Sequence, residues 1–198
     1  MKNFFIKRCF RIDFLWNISY NISTMKEKTH WSMTVVRILL IVLSLCIWVF
    51  IFYNALSDGE TSSKQSHSVT VSVQEVVGAI NPDSPIATAK GEDFNILHAH
   101  VRNAAHFLQY FALGACVFGA YLSFAKKGNR QYGYIPLCLL FLTVAVDEYL
   151  QSLTAGRVSE FADFATDSVG YACGICLALL VFGLIKWAAH AARRRKSR

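Results

Sequence analysis

Four stretches of this chain are each mostly apolar for about 20 residues, the length an α-helix needs to cross a hydrocarbon layer about 30 Å thick. They run from about Val35 to Leu56, Val101 to Phe124, Tyr134 to Leu153 and Val169 to Trp187. Each is too long for a strand. Hydrocarbon holds no water to satisfy an unpaired backbone group, so all four are expected to be helices. The third is apolar only as far as Val146, where Asp147-Glu148 interrupts it, and Pro136 suits its first turn. Only 17% of the 198 residues are charged and 54% are hydrophobic, against about 25% charged in soluble domains. A disordered chain and an ordinary soluble domain are thereby excluded. The expected fold class is all-α: a polytopic membrane protein with four transmembrane helices in a bundle.

Lysine and arginine near the span ends set the orientation. Lys2, Lys7, Arg8, Arg11, Lys26, Lys28 and Arg37 lie before or at the start of the first span. Lys126, Lys127 and Arg130 fall between the second and third, and Lys186, Arg193, Arg194, Arg195, Lys196 and Arg198 close the chain. Four spans put all three groups on one side, which is expected to be cytoplasmic together with both termini. The opposite loop, 57–98, carries Asp58, Glu60, Glu75, Asp83, Glu92 and Asp93 against two lysines. The net charge of +7 is therefore mainly a topology signal, with no nucleic-acid partner expected. The bilayer is the expected partner, with the basic tail 189–198 against anionic lipid.

The membrane domain is expected over residues 34–188. Residues 1–33, basic and aromatic, lack a signal-peptide pattern. They fit either an interfacial amphipathic segment or an upstream extension. In the outer loop, Ser57–Ser68 (SDGETSSKQSHS) is polar and turn-rich and is expected to be irregular. Val69, Val73, Val77 and Ile80 then share a helical face, which predicts a short amphipathic helix stopping at Asn81-Pro82.

Ionisable groups inside a span mark a function or a packing need. His98, Arg102, His106 and Tyr110 recur every four residues and so form one row on a helix face, with Gly114 four further on. Glu148 and Gln151 share a face of the third span, whereas Asp147 points elsewhere and is expected to face water. Arg157 follows in the turn. Asp163, Asp167, Gly170 and Gly174 follow near-helical spacing into the fourth span. The aspartates suit a helix start, and Gly170-x-x-x-Gly174 suits close helix packing, as does Gly114. Arg102, His106, Tyr110, Glu148, Gln151, Arg157, Asp163 and Asp167 are therefore expected around one polar pocket open to the outer face. The expected pairs are Arg102 or Arg157 with Asp163, and His106 with Glu148. No metal site is expected at His98, His100 and His106: His98 and His100 fall on different faces and no third ligand has metal-site spacing. No cofactor is expected. Cys46, Cys116, Cys138, Cys173 and Cys176 lie in apolar runs and suit packing; Cys173-x-x-Cys176 has no basic neighbour to activate a thiol.

At these residues the chain resembles the VanZ-like family of bacterial membrane proteins. The motifs are His106-Phe107-x-x-Tyr110-Phe111-x-Leu113-Gly114, then Glu148-x-x-Gln151, Arg157 and Asp163-x-x-x-Asp167-x-x-Gly170-x-x-x-Gly174. Gly59-Glu60-x-Ser62-x-x-x-Ser66 is similar to a serine-bearing segment after the family's first span. The resemblance covers about residues 35–188. Asp167 stands where many relatives have Asn, which adds a charge. The resemblance implies an integral membrane protein of the bacterial cell membrane with a link to glycopeptide (teicoplanin) resistance, and no settled reaction.

The first expectation is a binding or protective protein whose pocket engages a lipid-linked cell-wall precursor or the glycopeptide itself, since Arg102 and Arg157 suit phosphate or carboxylate. The alternative is an intramembrane enzyme acting on such a precursor, with His106, Glu148 and Asp163 as acid-base groups. No nucleophile motif stands out: Ser152, Ser159 and Ser168 lack a recognisable elbow. Transport and a purely structural role complete the alternatives.

Overall fold

The computed structural model of the protein describes residues 30–124, 132–156 and 161–196. They form α1 (His30–Leu56), α2 (Gly59–Ile80), α3 (Pro85–Thr88), α4 (Glu92–Phe124), α5 (Ile135–Ser152) and α6 (Phe161–Lys196). No strand occurs among the described residues. α1, α4, α5 and α6 are long and apolar enough to cross a membrane. α4 has 33 residues, about 50 Å at 1.5 Å per residue, so it outruns a hydrocarbon layer of about 30 Å. Its first turns, with His98, extend beyond the apolar segment that begins near Val101. The basic segment 1–29, the turn 125–131 and Arg157 lie outside the described residues.

The polar stretch Ser57–Ser68 corrects an expectation, because it is the first half of α2 and not irregular. Asp58 caps the helix, accepting from the Thr61 backbone N–H at 2.7 Å and its hydroxyl at 3.0 Å. The N–H bond holds the Asp58 carboxyl below its usual range. Lys64 meets Glu60 at 2.6 Å, one turn apart. Ser66, Thr70 and Ser72 donate back to carbonyls four residues earlier, which satisfies their hydroxyls within the helix. The face turned inward is Ser62, Ser66, Thr70, Val73 and Val77, whereas Val69 and Ile80 of the expected apolar stripe are exposed. A polar helix is thus held by hydroxyl packing against α4, with its free apolar edge on the other side.

The core draws on all four long helices: Ile51 from α1, Tyr110 and Leu113 from α4, Leu140 and Val144 from α5, and Tyr171 from α6. Hydrogen bonds between helices reinforce it, as suits packing where lipid is as apolar as the core. Trp48 donates to the Thr143 hydroxyl at 2.8 Å and Tyr171 to the Pro136 carbonyl at 3.0 Å. Arg37 donates twice to the Ser123 carbonyl, at 3.0 and 2.7 Å, and lies over the Phe124 ring. Most of the remaining α1 surface, including Val35, Ile38, Leu39, Val42, Leu45 and Val49, is exposed apolar side chain. In a bilayer that surface meets lipid.

α4 and α6 pack closest, and glycine is the reason. A Cβ added at Gly114 would strike the Tyr171 carbonyl oxygen, and one at Gly170 would stand 2.5 Å from that of Phe107. At Gly174 it would strike the Phe111 carbonyl oxygen and stand 2.6 Å from the Ala115 nitrogen. These neighbours are backbone atoms and cannot rotate away. Gly174→Ala should therefore lower stability by about 1–3 kcal/mol, the usual cost of overpacking. Gly183→Ala, with nothing within 4 Å of the new carbon, should leave it unchanged or raise it by up to about 1 kcal/mol. Thermal unfolding in detergent checks this, and equal melting of the two variants would contradict the contact.

Candidate functional site

The N-terminal part of α4, the C-terminal end of α5, the N-terminal part of α6 and the first half of α2 meet at one end of the bundle. Between them lies a cavity of about 250 Å³ lined by Gly59, Ser62, Ser63, Ser66, His98, Arg102, His106, Gln151, Gly156 and Asp163. Four-residue spacing on α4 delivers His98, Arg102 and His106 to it as one row. The same spacing on α2 delivers Ser62 and Ser66.

The polar contacts form in layers. At the rim, Ser66 Oγ stands 2.7 Å from His98 Nε2, and the His98 ring adjoins those of Phe94 and His67. Ser66 also reaches the Ser62 carbonyl at 3.0 Å and the Ser63 carbonyl at 3.1 Å, so its proton has three acceptors available. Arg102, half exposed, lies 3.8 Å from Asp163. That distance is an ion pair without a tight hydrogen bond, and it leaves guanidinium donors for a ligand. Deeper, His106 Nδ1 lies 3.6 Å from Asp167 Oδ1. At the floor, the buried Tyr110 hydroxyl donates to Asp147 Oδ2 at 2.8 Å.

Arg102, His106, Gln151 and Asp163 thus line the cavity as a set. Tyr110 and Asp167 lie beneath it, fully buried. Glu148, partly buried, is not part of the lining, and Arg157 lies outside the described residues. The expected pairing of His106 with Glu148 is corrected, since His106 faces Asp167. The expected exposure of Asp147 is corrected too. It is 2% exposed and points inward, because Asp147 and Gln151 are four apart and share the inner face of α5. That spacing was the available signal. Two backbone elements complete the rim. The Gly59 N–H donates to the Ala155 carbonyl at 3.1 Å, and Gly156 adopts a left-handed φ of 74°. The hydrogen bond between Ser66 and His98 joins α2 to α4 across 32 positions, so no local motif announces it.

The VanZ/LLP1 family model matches residues 40–182. The chain belongs to the VanZ/LLP1 family. No curated protein and no solved structure matches it. The match takes in every cavity-lining residue of this VanZ/LLP1 protein, all of α4 and α5, and most of α1 and α6.

Chemically, the cavity offers one guanidinium, two imidazoles and three serine hydroxyls on its walls, with the Asp163 carboxylate countering part of the charge. Such a donor set suits an anion with several oxygens. Beneath it, the bond from Tyr110 to Asp147 is the clearest structural element. Tyr110→Phe should lower stability by about 1.5–3 kcal/mol, the worth of a hydrogen bond to a charged group. Combined with Asp147→Asn the loss should be less than additive. Additive losses in unfolding measurements would show that the two groups do not interact.

Proposed function

We propose that this VanZ/LLP1 protein is a multi-pass protein of the bacterial cytoplasmic membrane whose pocket binds the phosphate-bearing headgroup of a lipid-linked cell-envelope precursor. The observation that carries this reading is the convergence of Arg102, His98, His106 and the α2 serines on one cavity at the end of four lipid-spanning helices. A headgroup held there leaves its chain beside exposed apolar helix surface. Size favours the precursor over the antibiotic: about 250 Å³ is below the roughly 300–1,000 Å³ of pockets that enclose drug-sized molecules. A contribution to teicoplanin resistance then acts through the precursor.

Binding of farnesyl diphosphate to the purified protein in detergent, measured by calorimetry, tests the reading. Wild type should bind it in preference to farnesol. Arg102→Ala should weaken binding tenfold or more, consistent with about 1.5–3 kcal/mol for a charged hydrogen bond. Equal affinity for farnesol, or an Arg102→Ala variant that binds as wild type does, refutes it. A deletion strain should also change in teicoplanin susceptibility and be restored by wild type but not by Arg102→Ala.

The distance of 2.7 Å between Ser66 and His98 favours a second reading, an enzyme in which His98 takes the Ser66 proton and Ser66 Oγ attacks the terminal phosphorus of the diphosphate. The P–O–P bond breaks to release the lipid monophosphate, and water then hydrolyses the phosphoserine to free phosphate. Phosphate released from the diphosphate by wild type, lost in Ser66→Ala while binding is kept, would select it over simple binding.

The proposed orientation places this cavity outside the cell and both termini inside. In a cysteine-free background, a membrane-impermeant thiol reagent should label Gln65→Cys in intact cells and Asn129→Cys only after lysis. The reverse pattern overturns the orientation.

A further inference from the structure

Beneath the cavity, side chains from three different helices converge without satisfying one another. His106 of α4, Asp147 of α5 and Asp167 of α6 each offer a ligand atom, and these atoms all lie within 4.8 Å of one another. Asp167 is 0% exposed, yet neither of its carboxylate oxygens has a hydrogen-bond partner among the described residues, and His106 Nδ1 has none either. The 3.6 Å between His106 and Asp167 is too long for a hydrogen bond. Gln151, 4% exposed and in the cavity lining, leaves its amide nitrogen unpartnered at the same level. A buried carboxylate needs a compensating charge or a proton, and the nearest guanidinium, Arg102, faces Asp163 one layer above.

We infer that His106, Asp147 and Asp167 form a divalent-cation site at the floor of the pocket. Ligand atoms on opposite sides of an octahedral ion stand about 4.2 Å apart, twice a bond of about 2.1 Å. Adjacent ligand atoms stand about 3.0 Å apart, so atoms that all lie within 4.8 Å of one another close around an ion by side-chain shifts of about 1–2 Å. One imidazole with two carboxylates suits Mn²⁺ or Zn²⁺. Three protein ligands leave coordination positions open, and His106 also lines the cavity, so those positions face the anion site. Asp147 keeps one oxygen on Tyr110, which orients the carboxylate from outside the coordination shell. The ion would bridge the floor carboxylates to a bound phosphate. That role rests on the headgroup reading above, whereas the metal site stands on the three side chains alone.

The test uses full-length protein purified in detergent, stripped with a chelator and titrated with Mn²⁺ under electron paramagnetic resonance. Wild type should take up one Mn²⁺ per chain, and its pulsed spectrum should show coupling to an imidazole nitrogen. His106→Gln should lose the nitrogen coupling, and Asp167→Asn should weaken Mn²⁺ at least tenfold. Gly183→Ala, away from the site, should keep both signals. Absence of stoichiometric Mn²⁺ uptake by wild type, or bound Mn²⁺ without nitrogen coupling, overturns the site whatever the variants do. Farnesyl diphosphate bound equally well with and without Mn²⁺ by a protein that takes up no metal leaves the headgroup reading standing. Mn²⁺ bound with nitrogen coupling but no diphosphate binding leaves the metal site standing and removes the headgroup reading.

Discussion

Backbone contact between α4 and α6 is the constraint on which the site depends. Gly114, Gly170 and Gly174 let the two helices approach until carbonyl oxygens occupy the space a side chain would need. At that separation, His106 and Asp167 face each other across the interface, 3.6 Å apart. With ordinary residues at the glycines the helices would stand farther apart, and imidazole and carboxylate would no longer meet. Packing and polar chemistry are thus consequences of one interhelical distance.

The same distance creates an electrostatic problem that the fold solves in stages. Asp163 keeps contact with solvent and with Arg102. Asp147, deeper, takes a hydrogen bond from Tyr110. Asp167, deepest in satisfaction terms, faces only a distant imidazole nitrogen among the described residues. Polar groups at membrane depth are costly unless matched. The graded supply of partners from rim to floor is therefore the feature that most sharply separates this end of the bundle from the apolar remainder around Phe118 and Leu122.

Much of the fold could be read from the sequence, because hydrophobic length is a coarse and robust signal. All four spans appear as helices, the third despite its early interruption by Asp147-Glu148. The row of His98, Arg102 and His106 was equally legible, since it lies on one helix. Legibility failed wherever the outcome depended on relations between helices. Rotation of α5 about its axis decides whether Asp147 or Glu148 faces inward, and composition alone leaves that open. Which acid His106 meets depends on how far α6 slides along α4. Ser57–Ser68 misled for a different reason. Its serines favour turns in isolation, but here they bond back to their own helix while their inner face packs on α4.

The contact between Gly59 and Gly156 has a consequence for how such a pocket can change. The first residue of α2 and the turn after α5 touch through backbone alone, with a hydrogen bond from Gly59 to Ala155. This side of the opening's frame thus rests on backbone, whereas Ser66 and His98 join α2 to α4 on another. Exposed Ser63 can be exchanged for residues of other size or polarity while this backbone contact keeps its shape. Scaffold and selectivity are separable here, so one architecture can be retuned to different molecules by changing only a few inward-facing positions.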